Sequence, residues 1–172
     1  MGKTTVCRRV AELARGLGWD PAGVLAPALL GKDGLPVAYH VLMVSDGEQR
    51  LLARTDGDLG GPRTSRYSFD ADVFSWVIGR LRAAISQGCD LLIVDEIGPL
   101  ELEQGMGLAP ILSDLSEGNF LLLLVVRPEL VGQLQKRLPD IPFRTVTVTQ
   151  ENCQALPDAI VKELFADYDP GR

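Results

Sequence analysis

The sequence predicts an α/β fold: a three-layer sandwich with a mostly parallel sheet and an inserted antiparallel β-meander. Three observations predict it. After Asp70, helical segments alternate with apolar strand-like ones. The run 120–126 is apolar at every position, as expected of a parallel strand covered on both faces. Residues 23–54 instead hold short strands separated by Gly- and Asp-containing turns. The expectation is one domain over residues 1–172, with the meander inserted at about 23–54. A chain of that length buries roughly 70% of its unfolded surface.

Taken in order, residues 4–17 place Val6, Val10, Leu13, Ala14 and Leu17 on one helical face with arginines opposite. Gly16 and Gly18 are the stop signals. Strands follow at 24–30, 37–44 and 49–53, joined by Gly31-Lys32-Asp33-Gly34 and Ser45-Asp46-Gly47-Glu48. Residues 55–68 are rich in Gly, Asp and Arg and read as a mobile loop. The spacing of Val73, Phe74, Val77, Ile78, Leu81 and Ile85 predicts a helix over 70–87, stopped at Gly88. Residues 89–96 form an apolar strand ending in Asp95-Glu96, followed by a Pro-interrupted helical stretch to about 117. After the strand at 120–126 come a short helix over 129–138 and a last strand at 143–148. Thr149 then caps a terminal helix that Pro157 restarts.

Composition excludes several classes. The net charge of −6 and pI near 4.8 argue against a nucleic-acid partner, which needs a basic face. No apolar run approaches the roughly 20 residues of a membrane span. Cys7, Cys89 and Cys153 are far apart, with no C-x-x-C pair, which suggests neither zinc nor disulfides and a reducing, cytoplasmic setting. The sequence assigns no oligomeric state.

Two motifs carry chemistry. Gly2-Lys3-Thr4 ends the pattern G-x-x-x-x-G-K-[ST] and opens an amphipathic helix, whose free N–H groups and dipole attract phosphate. Such a tripeptide is common by chance, so its position gives it weight. Lys3 would reach the β- and γ-phosphates, the Thr4 hydroxyl would ligate Mg2+, and Gly2 and Thr5 complete the binding run. The second motif is Leu91-Leu92-Ile93-Val94-Asp95-Glu96, which reads as a Walker B strand. Asp95 holds the metal, at the strand end where ligands of open α/β sheets collect. Glu96, one residue on, orients and deprotonates the attacking water. Asp95-Glu96-Ile97-Gly98 also satisfies D-x-x-G, but the N-K-x-D motif that reads guanine is missing, which sets a GTPase switch aside.

Gly2-Lys3-Thr4-Thr5, the block Val94 to Leu102, and Val148-Thr149-Gln150-Glu151-Asn152 with Leu156-Pro157 occur in this order in one known family, and the meander with its Leu51-Leu52-Ala53-Arg54 close is similar too. The chain resembles the P-loop nucleoside-triphosphatases of the cancer-related nucleoside-triphosphatase family over essentially its whole length. Asp-Glu-Ile-Gly followed by Glu-Leu is the specific part of the match. The resemblance implies Mg2+-dependent hydrolysis of ATP, GTP and other nucleoside triphosphates to diphosphate and phosphate, with broad base tolerance. It also implies that strand 120–126 lies between the P-loop strand and the Walker B strand.

The sequence departs from that family at its start. Members carry about ten more residues before Gly-Lys-Thr, so the chain is expected to be truncated within the Walker A motif and to lack the first strand. The nest for the β-phosphate is then incomplete, and strand 120–126 keeps an unpaired edge. Two explanations stay open: a coding sequence that starts further upstream, or a short protein that has lost catalysis or borrows a strand. Two other functions stay open with them, a nucleotide or nucleoside kinase and a catalytically dead nucleotide-binding module. Arg127, after strand 120–126, senses the γ-phosphate or is merely solvated before Pro128. Arg54, Arg63 and Arg66 border the 55–68 loop and are candidates to close over the nucleotide. Tyr67 and Phe69 read as packing in preference to base stacking, and His40, Trp19 and Trp76 as structural.

Overall fold

The computed structural model describes residues 2–166; Met1, the first residue of the Gly-Lys-Thr-Thr run's flank, lies outside them. Its elements are α1 (Lys3–Gly16), β1 (Pro21–Leu25), β2 (Ala28–Leu30), β3 (Pro36–Met43), β4 (Gln49–Arg54), β5 (Ser68–Phe69), α2 (Ala71–Gln87), β6 (Leu91–Ile97), α3 (Pro99–Leu102), β7 (Leu121–Val126), α4 (Val131–Arg137) and α5 (Leu156–Leu164). One mixed sheet runs in the order β5-β4-β3-β1-β6-β7, with β2 paired to β3. Its parallel part is β1, β6 and β7. The meander strands add to it antiparallel, through β1 and β3.

Alternation along the strands builds two cores from one sheet. Leu92 and Val94 face a core shared with α2, α3 and α4, whereas Leu91 and Ile93 face one shared with α1 and α5. All four are fully buried. A continuous apolar run is what a strand with covered faces requires. The helices on the two faces give the three layers that the alternation of elements predicts.

α2 is the element whose causes are plainest. Asp70 caps it by accepting from the N–H groups of Asp72 and Val73 at 2.9 and 3.0 Å. Gly88 ends it in the left-handed region at φ 85°. Val73, Phe74, Val77 and Leu81 are buried, and Ile78 and Ile85 pack beside them. In α1, Val6, Cys7, Val10, Ala11 and Ala14 are the buried face. Leu17, expected inward, is instead exposed, because the helix ends at Gly16 and Leu17 leaves its face.

The stretch 24–30 is not one strand. It breaks at Ala26-Pro27, so β1 runs parallel to β6 while β2 turns to pair with β3. Proline lacks the donor that a continuing ladder needs, and the Ala26 N–H is diverted to Asp95 at 3.1 Å. Gly23 permits the close approach of β1 to β6: it sits at φ 126°, and a Cβ there would fall 2.0 Å from the Ile93 carbonyl oxygen.

Residues 143–148 form no strand. Their composition suits a strand, but a strand exists only where a neighbour completes its ladder. A groove of about 910 Å³ separates this segment from β7. β7 pairs with β6 on one side and borders that groove on the other. It is consequently half-buried along most of its length, short of the full cover its composition suggested. β7 does neighbour the strand bearing Asp95, as the resemblance implies; among the described residues no strand pairs with its other edge.

The 55–68 loop is bound to itself. Asp58 accepts from the Ser68 hydroxyl at 3.1 Å and from the Gly60 N–H at 2.9 Å, and the Ser68 hydroxyl in turn accepts from the Leu59 N–H. Trp19 packs on Phe165 with ring centroids 4.2 Å apart, and Arg50 lies 3.9 Å over the Trp76 ring. Both tryptophans therefore pack. Cys7, Cys89 and Cys153 are free thiols.

Candidate active site

The site forms where the start of α1 meets the C-terminal end of β6. Gly2 precedes the helix with φ 103°, a left-handed value that glycine adopts without strain, and the Gly2 carbonyl accepts the Val6 N–H at 2.9 Å. Among the described residues no side chain caps α1. Its first-turn N–H groups, from Lys3 to Thr5, are left for a ligand or solvent. Lys3 and Thr5 are exposed and Thr4 is half-buried.

Asp95 is 4% exposed. One carboxylate oxygen accepts the Ala26 N–H at 3.1 Å, and the Thr4 side chain is near enough to act on the carboxylate. Burial pushes the Asp95 carboxyl above its usual range, against the lowering effects of Thr4, Ala26 and the Lys3 ammonium. The same neighbourhood holds Cys7, whose buried thiol is driven well above its ordinary value and stays protonated.

Glu96 is aimed by a β-bulge. Val94 pairs with Leu124 but Ile97 pairs with Val126, so β6 carries one residue more than β7 across this interval. Glu96 itself has φ 75°, and no other non-glycine among the described residues has a positive φ. Such a conformation costs of order 1–3 kcal/mol. It leaves Glu96 half-exposed between the fully buried Val94 and Ile97. Burial raises its carboxyl, the Asp95 charge adds to the rise, and Arg127 and Lys3 oppose it. The Arg127 guanidinium, at the end of β7, lies 3.9 Å from the Glu96 carboxylate.

Lys3, Thr4, Asp95, Glu96 and Arg127 are thus brought together, while Gly2 and Thr5 flank them in the chain. The three loop arginines are engaged elsewhere. Arg54 makes a two-pronged contact with Asp56 at 3.0 and 2.7 Å, and Arg63 pairs with Asp58 at 3.3 Å. Arg66 donates to the Pro36 carbonyl at 2.9 Å and lies over the Tyr67 ring. Each arginine has a partner within the loop or on the edge of the meander.

Two further residues belong to the neighbourhood. Tyr39 of β3 stacks edge-on against Tyr67, centroids 5.3 Å apart. Its phenol is pushed up to about 12, chiefly by burial, with the charge of Glu96 adding and that of Arg127 opposing. Nothing near Tyr39 in sequence signals this. Glu101 is 5% exposed and accepts the Gly98 N–H at 2.9 Å and the Leu108 N–H at 3.2 Å. Gly98-Pro99 followed by an acid is the sequence signal for it, a helix start with its N3 carboxylate.

A family model described as NTPase matches residues 1–161. The chain belongs to the NTPase family. It is similar to the nucleoside-triphosphatase THEP1 of Methanopyrus kandleri, 28% identical over 170 residues that cover 96% of this chain and 90% of that one. The nucleoside-triphosphatase THEP1 of Ignicoccus hospitalis is 33% identical over 102 residues, covering 59% of this chain and 56% of its own. Among solved structures, THEP1 from the hyperthermophile Aquifex aeolicus superposes with a TM-score of 0.64 at 16% identity, over 96% of this chain and 94% of that one. At that identity the likeness concerns the fold, and it agrees with the α/β architecture described above. An NTPase-family enzyme acts on nucleoside triphosphates. Among the described residues no helix is long and apolar enough to cross a membrane.

Proposed function

We propose that the chain hydrolyses nucleoside triphosphates, ATP and GTP among them, to diphosphate and phosphate with Mg2+. The observation that carries this reading is the meeting of Asp95 and Glu96 with the uncapped start of α1 and its Lys3. Lys3, the first-turn N–H groups and Arg127 supply positive potential where the transferring phosphoryl group gathers negative charge. Glu96, aimed by its bulge and half-open to solvent, accepts a proton from water. That water's oxygen bonds to the terminal phosphorus as the bond from phosphorus to the bridging oxygen breaks.

Among the described residues no group of three His, Cys, Asp or Glu converges. One hydroxyl and one carboxylate, Thr4 and Asp95, are close enough at the site for the first to lower the carboxyl of the second. That hard, sparse oxygen set suits Mg2+, which keeps several waters and takes its other ligands from phosphate. The ion, when bound, would neutralise charge on the β- and γ-oxygens.

Removal of the metal tests this assignment. With ATP or GTP and no acceptor added, phosphate release should fall to background in excess EDTA and return when Mg2+ exceeds the chelator. Turnover that persists in EDTA overturns the metal assignment. Transfer to an added nucleoside in preference to water would instead identify a kinase.

A further inference from the structure

The left-handed backbone of Glu96 is unsupported by glycine, so neighbouring contacts must hold it. Upstream, Asp95 is fixed by the Ala26 N–H. Downstream, the chain turns at Gly98 into α3, and there both N–H contacts of Glu101 converge. We propose that Glu101 is the positioning residue for Glu96: its carboxylate ties the Gly98 N–H to the Leu108 N–H and so fixes the backbone immediately beyond the bulge. The inference rests on the hydrolytic role proposed for Glu96.

The surroundings are shaped to that carboxylate. Gly107 has φ 61°, and a Cβ there would fall 2.3 Å from a Glu101 carboxylate oxygen. Gly105, two residues earlier, is also left-handed at φ 66°. The turn thus closes on the acid, with glycine where any side chain would crowd it. A carboxylate is suited to the place because both of its oxygens accept and neither donates. Burying it is costly, and the cost is offset by two N–H groups that would otherwise lose their partners inside the protein.

Glu101→Gln keeps the shape but turns an amide N–H2 toward one of the two donors, so one contact is lost. The test is steady-state phosphate release by the chain with Mg2+, measured over a range of ATP concentrations in excess of enzyme. Glu101→Gln should lower kcat roughly 10–100-fold while KM stays within about twofold. In the Glu96→Gln background the same substitution should cause no further loss, because Glu101 acts through Glu96. Gly107→Ala, which crowds the carboxylate without removing it, should give the same kcat-selective defect and covers the case of a Glu101 variant that does not fold. Unchanged kcat, or an equal loss in the Glu96→Gln background, overturns the inference alone. A wild-type chain that releases no phosphate overturns the hydrolytic reading first, so the two failures are distinguishable.

Discussion

Glu96→Gln is expected to lower turnover of ATP by roughly 10²–10⁴-fold, the usual contribution of a positioned general base, while leaving nucleotide binding intact. Glutamine fits the same bulge and keeps one acceptor oxygen, so it can still hold a water. It cannot accept a proton. Binding should survive because the groups proposed to meet phosphate, Lys3 and the first-turn N–H groups of α1, are unchanged. Loss of the Glu96 charge also frees Arg127, 3.9 Å away, from its acidic neighbour. Phosphate release and calorimetry with a non-hydrolysable triphosphate, run on the same preparation, separate the two effects. Equal turnover in the variant would sink the assignment of the base.

Lys3→Ala should be nearly as damaging, with a different signature. Removing one preorganised cationic donor from a phosphoryl-transfer site costs roughly 10²–10³-fold in rate. Here the ammonium also faces both acids and lowers the carboxyls of Asp95 and Glu96. Without it, two neighbouring acids lose a compensating charge and the phosphate loses an anchor. KM should therefore rise together with the fall in kcat. A variant with wild-type KM and kcat would show that the start of α1 does not bind the phosphates.

These effects were readable from the sequence to different degrees. Asp95 and Glu96 stood at the end of an apolar run, and a run apolar at every position has few destinations other than a covered strand. Their position at a strand end in the sheet followed directly. The bulge did not. Nothing local distinguishes Asp95-Glu96-Ile97 from a regular strand, and the left-handed Glu96 arises from how β6 meets β7. Tyr39 was missed for a related reason: its relation to Glu96 exists only once β3 joins the sheet.

Arg54 and Arg63 pair within their own surroundings, because a loop dense in both signs of charge offers them near partners. Asp56 stands two residues from Arg54 and takes up its guanidinium. Residues 143–148 misled because strand propensity describes a side-chain pattern, whereas a strand also needs a neighbour. The apolar groove that separates them from β7 has no counterpart in local sequence. Helix α2, by contrast, carried its cap, its face and its stop in its own residues, and it formed within one residue of the expected bounds.

In the proposed reaction water, activated at Glu96, is the acceptor of the terminal phosphoryl group. The direct measurement is turnover of ATP with Mg2+ in ¹⁸O-enriched water, with no other acceptor present and the released phosphate analysed by mass. Hydrolysis at Glu96 should give free phosphate carrying one solvent oxygen, with none formed by Glu96→Gln on the same timescale. Phosphoryl transfer that appears only when a nucleoside is added, or no phosphate release by the wild-type chain, would contradict it.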